Sequence, residues 1–413
     1  MNQILRDIFH VAAGKHLSAV DADSSRSNQH EIGGLVKVGF GEVLGKPGKT
    51  ETFEFACKMV YFNDEMEDPL IVDDRVTWYD SRRRSPTRSP EYRLYYHDNS
   101  VTELLQEGDF FLIALQENGT LLMCFSPAGT NIEAQLRNLF GLTDELNESF
   151  QPSKIGNKKL PLPVQMLLEQ LGVTFEPGQE GDEELLAFLL ERYPNGLPKS
   201  NEFSELARSR KPAAPLEDPD DALMVWLTEE EHLFRTYERH LVRARLLQGF
   251  GDDGGDVDAF VGFSLSVQNR RKSRVGFAFE NHLSHLFKLH GLQFEKGSSK
   301  NTTENRSKPD FLFPSFKAYL DDNFPEEKLF LLGAKTTCKD RWRQVLAEGD
   351  RVTTKYLVTI QPSISVNQLF EMKNKSLQLI IPLPIWETYP EGSQQQLTSI
   401  YSFINKIKLH NNV

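Results

Sequence analysis

Residues 331–348 read LLGAKTTCKDRWRQVLAE, and the way this stretch changes character sets the fold of the C-terminal half. The run KLFLLGA at 328–334 is apolar and short, as expected of a buried strand. Lys335 closes it, and a charged segment follows in which Cys338, Trp342, Val345 and Leu346 recur at i, i+4, i+7 and i+8, the apolar face of a helix over 338–349. Strand, lysine, helix is the grammar of an α/β domain. Further strands are expected at 309–313, 355–360 and 377–382, and further helices at 223–248, 275–290, 366–373 and 394–408.

A lysine at a strand end ordinarily reaches solvent. Here KPDFLFP (308–314) sets Asp310 at the mouth of a neighbouring strand. A carboxylate and a lysine on adjacent strands recur in metal-dependent nucleases. The carboxylate holds a hard cation such as Mg²⁺, and the lysine orients or deprotonates the attacking water. A second acidic residue usually stands two before the lysine, but that position is Gly333. Glu348, thirteen residues after Lys335 and beside the helix's apolar face, can reach back toward the sheet. Glu280 borders the apolar face Phe279, Leu283, Leu286 and Phe287 of another helix. Taken singly, each glutamate also reads as a half-solvated helix residue. His282, His285 and His290 share that helix without a completing ligand set and read as surface histidines. Lys339, Asp340 and Arg341 open the helix after Lys335. Their donor–acceptor–donor order suits the edges of G·C pairs, where a bare charge run at a helix start would oppose the dipole.

Composition narrows the field. The 413-residue chain is 39% apolar and 26% charged, in the range of a globular protein of two or three domains. No apolar stretch has membrane-spanning length, and the N-terminus lacks a secretory pattern, so no membrane association is expected. Three distant cysteines, Cys57, Cys124 and Cys338, suit a reducing cytoplasmic setting and give neither a disulfide framework nor a zinc site. The net charge is −12, yet basic residues cluster at Arg82, Arg83, Arg84, Arg88 and Arg93, and again at Arg270, Arg271, Lys272 and Arg274. Two anion-facing surfaces are expected. Residues 1–145 read as a mostly β domain. Its strands are expected at 34–39, 53–61, 91–97, 109–115 and 120–126, its helices at 2–14 and 131–139, and a hairpin turn at ENGT (117–120). Residues 146–222 read as a helical transition ending in a proline-rich, charged linker at 208–221, and residues 223–413 as the α/β domain.

NRRKSRVGFAFENHLSHLF (269–287), KPDFLFPSFKAY (308–319) and AKTTCKDRWRQVLAE (334–348) together resemble the catalytic domain of EcoRII-type restriction endonucleases. That resemblance implies a PD-(D/E)xK centre whose second acidic residue has moved from the strand to the next helix. It implies Asp310, Lys335, Glu348 and Glu280 as catalytic residues, with Asp310 and Glu348 holding Mg²⁺. It implies Lys339, Asp340 and Arg341, with Asn269 and Arg270, as base-reading residues. KHLSA (15–19), QHEIGG (29–34) and WYDSRRRSPTRSPEYR (78–93) resemble the family's effector domain, a DNA-binding β-barrel also found in plant B3 transcription factors. This implies His30, Arg82, Arg83, Arg84, Arg88, Glu91 and Arg93 as contacts to a second DNA site that relieves restraint of the nuclease. At 227–239, LTEEEHLFRTYER departs from the family by placing Glu231 or His232 near an aromatic position that stacks on a flipped base.

The expectation is therefore a Mg²⁺-dependent double-strand endonuclease of a restriction–modification system. It would act as a homodimer on a CC/GG-type site such as CCWGG or CCNGG, paired with a cognate DNA methyltransferase. The competing expectations are a DNA-binding regulator with an inactive nuclease domain, and an α/β enzyme acting on another phosphate ester.

Overall fold

Phe9–His16 forms a strand, β1, where the apolar spacing of residues 2–14 predicts a helix. Tertiary contact decides against local pattern. Ala12 and Ala13 are both buried, on opposite faces. A Cβ on Gly14 would lie 2.5 Å from Leu142 Cδ1, so only glycine lets the strand settle there. The computed structural model describes residues 4–22, 30–142, 145–156, 159–175, 182–338 and 341–411. It divides into two compact units: residues 1–175 with 362–369 and 388–390, and the remainder.

In the first unit β1 is followed by α1 (Ala19–Ala22), β2 (Glu31–Ile32), α2 (Phe40–Val43), β3 (Phe53–Tyr61), β4 (Leu70–Asp80) and β5 (Tyr92–Tyr95). Then come β6 (Phe110–Gln116), β7 (Leu121–Ser126), α3 (Asn131–Leu139), β8 (Gln151–Pro152) and α4 (Leu162–Gln170). The strands make one sheet in the order β2-β5-β4-β3-β7-β6-β1-β8, an open order with β2 and β8 at its ends. Neighbours are antiparallel except the parallel pair β3 and β7. Residues 34–39, expected as a strand, instead coil into a 3₁₀ turn at Leu35–Val38, framed by Gly34 (φ 87°) and Gly39 (φ 96°). Both glycines adopt left-handed backbone that other residues resist. Every residue of β6 and β7 is buried. Phe110, Leu112 and Ala114 pack into one core, and Phe111, Ile113 and Leu115 into a second on the opposite face. Each large side chain so buried contributes about 1.5–3 kcal/mol, which makes this hairpin the centre of the unit.

The chain continues through α5 (Asp182–Arg192), α6 (Ser200–Arg210), α7 (Pro219–Gln248), α8 (Val257–Leu289), β9 (Phe311–Phe313), α9 (Phe316–Leu320), β10 (Phe330–Lys335) and α10 (Arg341–Leu346). It ends with β11 (Lys355–Thr359), α11 (Val366–Asn374), β12 (Leu377–Ile380), α12 (Glu391–Gln394) and α13 (Ile400–Asn411). The second sheet has the order β12-β11-β10-β9, with β10, β11 and β12 parallel and β9 antiparallel at the edge. This is the mixed α/β architecture that the strand–lysine–helix stretch predicts.

The segment expected as a linker is a tight turn between α6 and α7. Trp226 Nε1 donates to Lys211 O at 3.1 Å, and the Asp218 side chain caps α7. Pro219 sits in the first turn of α7, where its missing N–H costs nothing. Helices α5 and α6 close a core with α7 through Leu189, Phe203, Ala207, Leu233, Phe234 and Tyr237. Asp220, buried at the head of α7, accepts hydrogen bonds from the backbone N–H groups of Leu383, Ile400 and Tyr401 and so anchors α13. No described helix is long and apolar enough to cross a membrane.

Candidate active site

The antiparallel pairing of β9 with β10 brings Asp310, just before β9, beside the C-terminal end of β10. Lys335 Nζ lies 2.7 Å from Asp310 Oδ2, and the same oxygen accepts the Ala334 backbone N–H at 2.7 Å. The two side chains are 24% and 17% exposed, open enough to meet a ligand and sheltered enough for charge to matter.

Glu348 joins this pair electrostatically. Burial, then the charge of Asp310, pushes its carboxyl up to about 7, against the pull of Lys335 and Lys355. It lies just past the end of α10, not within it, because the helix stops at Leu346 and Gly349 takes a left-handed φ of 63°. Cys338, Trp342 and Val345 are buried as the helical spacing predicts. The turn after Glu348 is tied down. Glu304 accepts the Asp350 N–H at 3.3 Å and the Tyr319 hydroxyl at 2.6 Å. Arg351 donates to the carbonyls of Tyr319, Asp321 and Phe324.

At Gly333, two before Lys335, the strand has no room for a side chain. A Cβ there would stand 2.5 Å from Val345 Cγ2 and 3.4 Å from Leu357 Cδ1. Helix α10 presses on the strand at the point where an orthodox acidic side chain would start. The side chain that approaches Asp310 and Lys335 comes from beyond the helix instead.

Glu280, on α8, is paired with Lys296 at 3.0 Å and is 31% exposed. Lys296 in turn lies 4.8 Å from the centroid of Phe311, the neighbour of Asp310, and lines a pocket of about 610 Å³ with Ser284, Lys288 and Ser315. Among the described residues no group of three or more His, Cys, Asp or Glu side chains is arranged as a ready metal cluster. Asp310 and Glu348 are nonetheless hard oxygen donors whose mutual repulsion a cation would relieve, and in that respect they fit a divalent ion.

Of the expected base-reading residues, Lys339 and Asp340 lie outside the described residues. Arg341 is exposed at the first turn of α10. Cys338 is held by Gln361, buried just past β11, whose Oε1 accepts the Cys338 N–H at 2.6 Å. Asn269 is exposed and Arg270 half-buried along α8. Sequence reasoning missed Gln361, since its partner lies 23 residues away. His282 is a correction. Far from a surface histidine, it is fully buried 2.9 Å from Glu230, with Arg208 3.1 Å from its other ring nitrogen. Burial lowers its pKa. His290, also buried, lies 2.8 Å from Pro215 O. Glu231 and His232 are engaged with Arg235 (2.5 Å) and Asp182 (2.9 Å).

In the first unit the two segments expected to bind DNA meet through β-pairing of β2 with β5 and β5 with β4. The arm between β4 and β5 is closed by Asp80, buried, which accepts N–H groups of Arg82 and Glu91 at 2.9 Å each. Glu91 binds both Arg82 (2.6 Å) and Arg93 (3.0 Å), and the Arg93 hydrogen bond holds it below the usual carboxylate range. Arg83 stacks over Tyr79 at 4.4 Å, while Arg84 and Arg88 are exposed. The His30 ring packs against Tyr95 and Tyr96 and lies 3.5 Å from Asp98.

Residues 234–404 match the family model described as EcoRII C terminal. Over 216 residues the chain is 39% identical to the type II restriction enzyme EcoRII of Escherichia coli, an alignment that covers 52% of this chain and 51% of the relative. The chain thus spans about half the length of the curated relative it matches. Two solved structures align more weakly. One is metal-depleted Ecl18kI with uncleaved, modified DNA, at 15% identity and TM-score 0.44, covering 56% of this chain and 85% of that one. The other is the restriction endonuclease PspGI with substrate DNA, at 17% identity and TM-score 0.42, covering 52% and 94%. Over residues 234–404 this chain is therefore similar to the EcoRII C-terminal domain.

Proposed function

We propose that the chain is a type II site-specific deoxyribonuclease that hydrolyses a phosphodiester in each strand of a CC/GG-type duplex site. The observation that carries this reading is the convergence of Asp310, Lys335 and Glu348 at one end of β10. Asp310 and Glu348 would hold a divalent cation, Mg²⁺ being the natural choice for an all-oxygen site. When bound, the ion supplies charge neutralisation at the phosphate and a more acidic water. Lys335, on the strand end, positions the attacking water and donates to the scissile phosphate. Glu280, held by Lys296, is the further acidic member on the α8 side. Arg341, with Lys339 and Asp340, reads base edges beside the cut, and Asn269 and Arg270 extend the contact.

The first unit is the effector domain in this reading, holding a second copy of the site through His30, Arg82, Arg83, Arg84, Arg88, Glu91 and Arg93. Cutting both strands of a near-palindrome calls for two copies of the chain related by a two-fold axis. Host DNA would be protected by a cognate methyltransferase.

The test is to incubate the full chain with plasmid DNA in Mg²⁺ or in EDTA and to sequence the fragment ends. Discrete, Mg²⁺-dependent ends sharing a CC/GG-rich motif are expected. Tight, salt-sensitive binding without cleavage would replace this reading by that of a regulator.

A further inference from the structure

Arg93 is held by two carboxylates. Its Nη1 donates to Glu31 Oε2 at 2.9 Å, and its Nε and Nη2 donate to Glu91 Oε1 at 3.3 and 3.0 Å. The second Glu91 oxygen takes Arg82 Nη2 at 2.6 Å. Glu31 is the deepest member of the chain of charges, with a side chain 10% exposed against 32% for Arg93. Its backbone is fixed as well, because Glu31 pairs with Tyr95 in the β2–β5 ladder. The carboxylate of Glu31 is therefore a rigid stop, and the arginine is the part that is set against it.

We propose that Glu31 is a specificity-determining positioning residue for DNA recognition by the first unit. It aims the Arg93 fork at base edges and keeps it from sweeping onto the sugar–phosphate backbone. This rests on the reading of that unit as a DNA-binding domain. An arginine free to rotate contacts any phosphate, which adds affinity without sequence information. An arginine clamped by two carboxylates presents one geometry, in which the one N–H left on each Nη would make the bidentate contact with a guanine. The Glu31 charge acts in the same sense, since it repels a phosphate that approaches off register.

The experiment measures affinity of the full chain, in EDTA, for duplexes carrying CCAGG or CCGGG and for the same duplexes with the site scrambled, over a range of salt. Glu31→Ala is expected to lower discrimination about tenfold. Affinity for the scrambled duplex should rise, and the salt dependence should steepen by about one phosphate contact. Glu31→Gln keeps an acceptor for Arg93 but not the charge, and an intermediate loss is expected. It also carries the test if the alanine variant does not fold. Unchanged discrimination, or an equal loss on both duplexes as from simple destabilisation, overturns the proposal. Arg93→Ala separates the two levels. If it weakens cognate binding while Glu31 variants do nothing, the inference on Glu31 fails alone. If it too changes nothing, or the wild-type chain does not discriminate, the DNA-binding reading of the unit fails beneath it.

Discussion

At the scale of single residues, the site sets the like charges of Asp310 and Glu348 against Lys335 and Lys355. Lys335 is the cation in direct contact with Asp310, at 2.7 Å. If Lys335 orients the attacking water as proposed, Lys335→Ala is expected to lower cleavage by about 10²–10⁴-fold. DNA affinity in EDTA should stay close to wild type, because in the proposed reading Lys335 would make one phosphate contact among many. A variant that still cuts at the wild-type rate would remove Lys335 from the mechanism. Glu348 gives a pH prediction for the metal-free protein. Its folded-state value of about 7 lies above the ordinary carboxylate value, so the protonated form is the favoured one in the fold. The stability this contributes is fully present below about pH 4.5 and is lost as pH rises through about 7. Glu348→Gln mimics the protonated state. In EDTA at pH 8 it should unfold at higher denaturant than wild type, by about 1–2 kcal/mol, and the gap should close near pH 5. A difference that does not vary with pH would show that Glu348 is not the titrating group.

At the scale of elements, the packing of α10 on β10 decides where the second carboxylate can stand. Gly333→Ala places a methyl 2.5 Å from Val345 Cγ2, an overpacking that costs about 1–3 kcal/mol. Gly333→Asp rebuilds the orthodox acidic position yet should destabilise at least as much, and cleavage should fall, not rise. Adding Val345→Ala makes room, so the double variant Gly333→Ala with Val345→Ala should be more stable than the sum of the singles predicts, with a coupling of about 0.5–3 kcal/mol in a denaturation cycle. Strict additivity would mean that the helix does not press there. The elements also show what sequence can convey. Strands β6, β7 and β10 were legible as short continuous apolar runs, and the face of α10 by its helical spacing. Residues 2–14 misled because their apolar spacing fits a helix, and only the pairing of β1 with β6 shows the strand. Glu348 was legible as the neighbour of an apolar face, while Glu31 and Gln361 were not. Their partners, Arg93 and Cys338, are 62 and 23 residues away, and only the β-pairing brings each pair together.

At the scale of the whole molecule, the question is how much chain the proposed nuclease needs. The proline-rich stretch at 208–221 invites a cut at 215, but α5 and α6 lie before it and complete a core with α7. A chain beginning at residue 216 would leave Leu233, Phe234 and Tyr237 without Leu185, Leu189, Phe203 and Leu206. Four such side chains, at about 1.5–3 kcal/mol each, amount to much of a domain's net stability of about 5–15 kcal/mol. That fragment is expected to be insoluble or unfolded by circular dichroism. A chain beginning at residue 182 keeps both helices and all of Asp310, Lys335, Glu348 and Glu280. If the first unit is an effector that restrains the nuclease until a second site is bound, the two chains differ on plasmids. The full chain should cut a two-site plasmid much faster than a one-site plasmid, and the chain from 182 should cut both alike. A soluble, active chain from 216 would mean that α5 and α6 are dispensable. A folded chain from 182 that still needs two sites would place the allosteric contact within the nuclease itself.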